Sequence, residues 1–527
     1  MNNRLHSINI EFFCLLFMLY NLLAFNEVFF IKIYEKCGLL FTAATFAVLW
    51  ALGSAICLII FYKKTIKPLC FVFLPINAAA FYFVKNYNVF IDSEMLQNVL
   101  QTNYNETSDL LNIKFVFYIA LLAFLPSLII ARLNFCEKHF WRYRLLSFLT
   151  LISICLAIII PNTATVVPFV RQHKPLKYQL IPVNYISAIS SSIKRFYRQN
   201  RKFQTIADDA SFTKYWLNKK NNLFILVVGE TARADKFSFN GYKRHTNAPL
   251  EKYRNNIINY TNAMSCGTST AVSLPCMFAK DSRTEFKSGS MAYTENLLDI
   301  LHKNGYNVVW VENNSDCKSL CYRIKTLYPC GIHPQERECN DSILLPQITE
   351  AMPQTLQNTF IVLHQIGSHG PKYYKRYPQE FNRYKPTCNT ENLNKCTSDE
   401  LTNVYDNTIY YTSYILAKII KDIKKYQNDY NIVLIYVSDH GESLGENGLY
   451  LHSAPYSFAP VEQKHIPFFM WAEDQTWEAL KIDKECLQKN SHLAVSHDFI
   501  FHSMLDFTGI STTEYNPDYD ILLKCKK

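Results

Sequence analysis

The chain has 527 residues, more than one ordinary hydrophobic core accommodates, which points to two or more units. Its formal charge of +10 is spread over short loops and a linker, which excludes a clustered nucleic-acid groove, so no nucleic-acid partner is expected. Apolar residues make up 49% of the chain, but they concentrate in the first third, and the remainder has the composition of a soluble enzyme.

Apolar runs long enough to span a bilayer occur at about residues 8–30, 38–62, 69–87, 113–133 and 145–165. The third is the weakest, being short and interrupted by Pro75 and Asn77. No small-residue cleavage site follows the first run, which reads as a retained anchor. Lys63, Lys64 and Lys67 follow the second run, and Arg132, Lys138, Arg142 and Arg144 follow the fourth. The loop between the third and fourth carries Asp92, Glu94, Glu106 and Asp109 instead. The positive-inside rule then puts the N-terminus in the cytoplasm and everything after the fifth span outside.

Residues 166–220 read as a linker. Within it, 183–204 mixes apolar residues with Lys194, Arg195, Arg198, Arg201 and Lys202. That mixture fits an amphipathic helix on the membrane's outer face or an ordinary surface helix. From about 221, short apolar runs alternate with helix-like segments. Strands are expected at FILVVG (224–229), NVVWV (307–311), FIVLH (360–364), IVLIYV (432–437) and PFFMWA (467–472). Continuous β-rich runs between helices indicate a parallel sheet covered on both faces. The expected organisation is a transmembrane domain over 1–165, a linker with a membrane-surface helix over 166–220, and a catalytic domain over 221–527.

Ten of the sixteen cysteines lie beyond the apolar third. Eight form close pairs: Cys266 with Cys276, Cys317 with Cys321, Cys330 with Cys339, and Cys388 with Cys396. Local pairs in loop-like sequence suggest disulfides and an oxidising compartment, in agreement with the loop charges. Structural zinc is the rival, but there is no CxxC…CxxC pattern. Cys486 and Cys525 form a fifth pair or remain free.

Polar residues follow several strands together: Glu230 after the first, Asn313 and Asn314 after the second, His364 and His369 at and after the third, Asp439 and His440 after the fourth. Ligands bind beyond the carboxyl ends of strands in such sheets. Carboxylate and imidazole groups suit zinc, with Glu230 as a third ligand beside Asp439 and His440. Such an ion calls for a nucleophile that can bind it. SCGTSTAVSLPCMF (265–278) offers Thr270 at the opening of a helix, where the dipole and free N–H groups favour a phosphoryl group. Simple capping by a Ser/Thr-rich segment is the alternative. GESLG (441–445) fits the G-x-S-x-G pattern, but Ser438, Asp439 and His440 separate it from the strand end, which argues against a Ser443 hydrolase.

VVGETARAD, SCGTSTAVSLPCMF, NNSDCK, HQIGSHGPKYY, SDHGESLGENGLYLH and SFAPVEQKHIPFF, in this order, resemble the lipid A phosphoethanolamine transferases. Those enzymes are related to the proteins of transferable colistin resistance and belong to the alkaline phosphatase–sulfatase superfamily. The resemblance covers nearly the whole chain. It implies about five transmembrane helices followed by an α/β/α sandwich of alkaline phosphatase type. It implies a multi-pass protein of the bacterial inner membrane, its catalytic domain in the periplasm and a monomer expected. It further implies that Glu230, Asp439 and His440 bind one tightly held zinc ion, with a second zinc allowed, and that Thr270 is the metal-bound nucleophile. Lys318, His369 and His452 match positions that handle the phosphoryl group or bind the further zinc. Asn98, Thr102 and Glu106 match positions that contact the ethanolamine head; their four-residue spacing places them on one helical face, as on a solvated helix.

The implied reaction carries phosphoethanolamine from phosphatidylethanolamine through a phosphothreonine to lipid A, or to a core sugar or surface protein. On lipid A the added ammonium would offset phosphate charge and weaken polymyxin binding. A membrane-anchored phosphoglycerol transferase or phosphodiesterase of the same superfamily is the alternative. A sulfatase is disfavoured, because the C/S-x-P-x-R motif is lacking after Cys276.

Overall fold

The computed structural model describes residues 7–87, 91, 113–136, 140–199, 201–213, 220–287, 289–314, 316–331, 339–390, 393–454, 456–457 and 459–527. Asn98, Thr102 and Glu106 lie outside the described residues, as do Asp92, Glu94 and Asp109. The chain divides into two units, Met1–Asn200 and Arg201–Lys527. The segment 166–220 is therefore shared between them. Its first part is helical over Thr163–Gln172 and Val183–Gln199.

In the first unit, four helices are long and apolar enough to cross a membrane: Glu27–Ile60, Ile66–Asn86, Ile113–Arg132 and Arg142–Val170. A shorter apolar helix, α1 (Ile10–Phe25), precedes them. The first apolar run, expected to continue to residue 30, breaks at Asn26. The Asn26 amide donates to Asn21 O and Ile181 O, and its Oδ1 accepts from Ile181 N, so the turn is held by its own side chain. The helix α2 (Glu27–Ile60) then kinks at Gly38, whose φ of 77° is open to glycine. The interruption at Pro75 and Asn77 also resolves differently from its sequence appearance. Helix α3 (Ile66–Tyr87) runs through both residues. The Asn77 amide donates to Asn21 Oδ1 at 2.6 Å and its Oδ1 accepts from Tyr185 OH at 2.8 Å. A buried polar group satisfied this way ties helices together.

Tyr185 belongs to α4 (Val183–Gln199), which buries Asn184, Tyr185 and Ala188 on the bundle. Val183, Ile186, Ile189 and Ile193 are exposed on the opposite face. Over 183–194 the face this helix presents outward carries these four apolar side chains, with Ser190, Ser191 and Lys194 exposed beside them.

The second unit is built on an eight-stranded sheet: β1 (Asn222–Gly229), β2 (Ile257–Met264), β3 (Asn307–Glu312), β4 (Lys325–Leu327), β5 (Thr359–His364), β6 (Asn431–Ser438), β7 (His465–Trp471) and β8 (Val495–Ser496). The spatial order is β8-β2-β7-β6-β1-β5-β3-β4. Strands β6, β1, β5, β3 and β4 are mutually parallel. PFFMWA, expected within a parallel sheet, instead runs antiparallel to both β6 and β2. Its register slips between Ile466 and Phe468. Pro467 lies at that slip, where a residue without an N–H is tolerated in a strand.

The central strands are buried on both sides. Phe224, Leu226 and Val228 of β1 join one hydrophobic layer, and Leu223, Ile225 and Val227 join the other. Helix α6 (Ser398–Ile423) covers the second layer with Val404, Ile409, Leu416 and Ile420. It opens on a capping box in which Thr397 accepts from Glu400 N and Glu400 reaches back to Thr397 N. Helix α7 (Asp498–Thr508) covers the first layer with Phe501, Met504 and Leu505. Together these layers form an α/β/α sandwich. Helix α5, Thr270–Met277, precedes both in the chain.

The four local cysteine pairs are disulfides, and Cys486 bonds Cys525 across 39 residues. Closing a loop of that length restricts the unfolded chain. Replacing Cys486 and Cys525 together by Ser is expected to cost about 3–4 kcal/mol of stability, read as a lower denaturation midpoint.

Candidate active site

The parallel strands end on one edge, and their next residues meet there. Glu230 follows β1, Asp439 and His440 follow β6, and all three are fully buried. Asp439 N donates to Gly229 O at 2.9 Å, which keeps the two strand ends level. One ligand atom from each of Glu230, Asp439 and His440 lies within 4.8 Å of the others. Thr270 is the first residue of α5, and Ser269 before it is extended. Its Oγ1 stands 3.2 and 3.1 Å from the two Glu230 carboxylate oxygens and 3.4 Å from His440 Nε2. The disulfide between Cys266 and Cys276 closes the loop carrying it.

The donor set fits a divalent cation. Asp439 Oδ1 accepts from Thr231 N at 3.0 Å and His440 N at 2.7 Å, whereas its buried Oδ2 receives no hydrogen bond. His440 Nδ1 donates to Gly441 O at 2.8 Å, which leaves Nε2 as the lone-pair nitrogen facing Glu230 and Asp439. Two buried carboxylates around a neutral imidazole are costly unless a cation joins them. Burial and the Asp439 charge push Glu230 up to about 7, and burial pushes Asp439 up to about 6. Burial, then His452, push His440 down to about 4.

A cation must displace the protons from both carboxyls, while His440 is already neutral. Zinc affinity is therefore expected to rise between about pH 5 and about pH 7 and level off above, with protons released on binding in the lower range. Calorimetric titration in buffers of different ionisation enthalpy measures this. A pH-independent affinity with no proton release would contradict the ligand set.

A second layer holds Glu230. The Asn314 amide donates to Glu230 Oε2 at 2.7 Å and to Gln365 O at 2.9 Å. Behind it, His364 Nδ1 lies 3.0 Å from both Glu312 oxygens, and Glu312 also accepts from Trp310 Nε1 and Asn314 N. Burial opposes charge on His364, but the Glu312 carboxylate outweighs it and raises the imidazole pKa. The loop after β5 packs directly on Glu230. Ser368 N donates to Glu230 O, and a Cβ on Gly367 would lie 2.7 Å from that oxygen. Only glycine permits this approach, and its φ of +47° is also left-handed.

His452 stands next to His440, with ring centroids 4.4 Å apart, and His369 lies 5.7 Å beyond. His452 Nδ1 donates to the buried Glu442 at 3.2 Å. Lys318 is half-buried on the loop after β3, inside the Cys317–Cys321 disulfide. Among the described residues, six non-glycine residues have positive φ, and three of them adjoin site residues along the chain: Thr231 follows Glu230, and Leu451 and Ser453 flank His452. Strained backbone gathers where a side chain or amide must be aimed. At Thr231 the turn aims its N–H at Asp439.

Glu312, Glu442 and Asp341 are supporting residues that no sequence motif singles out. Glu312 is one residue past the expected end of its strand, and a carboxylate closing an apolar run is the signal that marks it. Asp341 pins the loop after β5 by accepting from Ile366 N and Gly367 N. Glu442 lies inside GESLG. Ser443 of that motif is buried, and its Oγ accepts from Gln463 Nε2, so it is built into the structure. Beside the Thr270 loop a cleft of about 370 Å³ opens between Thr268, Ser269, Ser453, Arg283 and Tyr456. The Arg283 guanidinium stacks 4.3 Å from the Tyr456 ring.

Residues 49–197 match the family described as phosphoethanolamine transferase EptA/EptB, and residues 222–510 match the sulfatase family. The chain is 36% identical over 474 residues to phosphoethanolamine transferase EptA of Escherichia coli K12, covering 88% of this chain and 86% of that protein. It is 37% identical over 434 residues to phosphatidylethanolamine transferase Mcr-1 of Escherichia coli, covering 79% and 80%. The structure superposes on the integral membrane lipooligosaccharide phosphoethanolamine transferase A of Neisseria meningitidis with a TM-score of 0.66 at 34% identity, covering 99% and 100% of the two chains.

Proposed function

The chain belongs to the phosphoethanolamine transferases, and from that premise we propose that it carries phosphoethanolamine from phosphatidylethanolamine to a lipid A-type envelope acceptor, with Thr270 as the covalent carrier. The observation that carries this reading is the contact of Thr270 Oγ1 with both Glu230 oxygens and His440 Nε2 at a helix N-terminus. Phosphatidylethanolamine as donor accords with the name of the Mcr-1 relative, and a lipooligosaccharide-type acceptor with that of the Neisseria protein.

Glu230, Asp439 and His440 would hold a zinc ion, which when bound would lower the pKa of a hydroxyl and neutralise phosphoryl charge. Thr270 gives up its hydroxyl proton as Oγ attacks the phosphorus, the bond to the diacylglycerol oxygen breaks, and that oxygen takes up a proton in exchange. The α5 N-terminus directs its first N–H groups at the phosphoryl oxygens. An acceptor phosphate or hydroxyl oxygen then attacks the same phosphorus, and Thr270 recovers its hydroxyl. Two displacements replace one difficult transfer. His452, oriented by Glu442, is assigned with His369 and Lys318 to hold phosphoryl oxygens or a second zinc. Arg283 at the cleft beside Ser269 suits an anionic acceptor.

The membrane helices and the exposed apolar face of α4 keep the enzyme at the bilayer that holds donor and leaving lipid. Inner-membrane insertion with a periplasmic site agrees with the five disulfides and the loop charges. The test supplies cells with ethanolamine-labelled phosphatidylethanolamine and follows the label by mass spectrometry in lipid A, core sugars and envelope proteins. Label on lipid A phosphate with reduced polymyxin susceptibility is expected. Label confined to core sugars or protein would overturn the acceptor.

A further inference from the structure

His497 is fully buried, and both of its ring nitrogens are committed to backbone. Nδ1 accepts from Cys266 N at 3.1 Å, and Nε2 donates to Ser438 O at 2.9 Å. The two partners define one tautomer, neutral with the proton on Nε2. Each partner opens a functional segment. Cys266 begins the disulfide-closed loop that carries Thr270. Ser438 closes β6, directly before Asp439 and His440. Ser438 also fixes the ligand-bearing turn, since its Oγ donates to His440 O and accepts from Ala232 N.

The topology accounts for the placement of this imidazole. The two-residue strand β8 pairs with Ala263 and Met264 at the end of β2, and His497 N donates to Met264 O. His497 then precedes α7, whose apolar side is anchored in the core. The ring is therefore held rigidly between the two segments. Its hydrogen bonds span the gap between the Thr270 loop and the ligand-bearing strand end.

We propose that His497 is a positioning residue: its imidazole sets the spacing of Thr270 from Glu230, Asp439 and His440. This rests on the reading of Thr270 as covalent carrier. His497 touches neither reacting atom. It acts through Cys266 on the loop and through Ser438 on the ligands. An error of about 1 Å in such a spacing costs about a hundredfold in rate.

Three variants of the full-length, zinc-loaded enzyme test it. In His497→Asn the side-chain oxygen can take the place of Nδ1 and keep the Cys266 bond. In His497→Gln the amide nitrogen can reach the place of Nε2 and keep the Ser438 bond. His497→Phe fills the ring volume and makes neither. Positioning predicts that kcat falls about a hundredfold in the Phe variant and about tenfold in Asn and Gln, with the donor KM within about twofold and zinc content unchanged. A residue needed only for packing would give the reverse order, because Phe preserves volume and the amides do not. A Phe variant retaining half the parental kcat would overturn the proposal. Where the Phe variant does not fold, Asn and Gln variants both at parental kcat would overturn it equally. The parent enzyme, digested after reaction with donor alone, separates the two readings. An adduct on Thr270 with unimpaired His497 variants refutes only the strut, whereas transfer without that adduct refutes the carrier.

Discussion

Thr270→Ala is expected to abolish transfer, with kcat falling at least about a thousandfold while the protein remains folded, membrane-inserted and zinc-bound. The side chain is short and half-buried at the first position of α5, so its loss opens no core cavity. Alanine is also a good helix former, and Ser269 is unchanged as the N-cap. What disappears is the oxygen 3.1–3.2 Å from Glu230 and 3.4 Å from His440. Thr270→Ser keeps that oxygen and should keep measurable transfer, slowed by the freer rotamer of a side chain without the β-methyl group. Mass spectrometry of the lipid products reads both variants. Undiminished transfer by Thr270→Ala would exclude this residue as the carrier.

Asp439→Asn is expected to lose both zinc and activity, the latter by about a thousandfold, because it alters the candidate ligand atom, an oxygen that receives no hydrogen bond. Asp439 Oδ1 is occupied by the N–H groups of Thr231 and His440. An asparagine must keep its carbonyl oxygen in that place, since two N–H groups point there. Its NH2 then falls where Oδ2 was, facing His440 Nε2, and donates where a ligand must accept. The substitution is nearly isosteric, and the core beneath β6 is untouched. Metal content by mass spectrometry should therefore fall while the thermal transition of the chelated protein is retained. A variant that still binds stoichiometric zinc would show that Oδ2 is not a ligand.

Much of this site is visible along the chain because a strand that is apolar throughout announces where it ends. Glu230, His364 and Asp439 each lie at or just past the end of such a run, Asn314 follows another a few residues on, and parallel strands bring those ends to one edge. Thr270 is different. Taken by itself it is one hydroxyl among Ser265, Thr268, Ser269 and Thr270, and capping explains it better than nucleophilicity does. Its partner Glu230 lies 40 residues away, so its role is legible only through the longer family motifs. His497 has no local signal at all: its partners are backbone atoms 231 and 59 residues distant.

The direction of β7 is hidden for a related reason. An interior antiparallel strand covered on both faces has the same continuous apolar pattern as a parallel one. In the first unit, Asn26 and Asn77 show the opposite case. Polar residues within apolar runs read as weak points, yet Asn77 is the buried tie between α1, α3 and α4, and Asn26 holds the turn between α1 and α2. Whether a polar side chain interrupts a helix or secures it depends on partners that lie elsewhere in the chain.

The central claim, a phosphoethanolamine carried on Thr270, is tested most directly by peptide mass spectrometry. The enzyme is mixed with phosphatidylethanolamine in detergent without acceptor, quenched and digested. The account predicts a single phosphoethanolamine on the peptide containing Thr270, discharged when acceptor lipid is added before quenching. Release of diacylglycerol with that peptide unmodified, and an adduct on another residue or none, would contradict it.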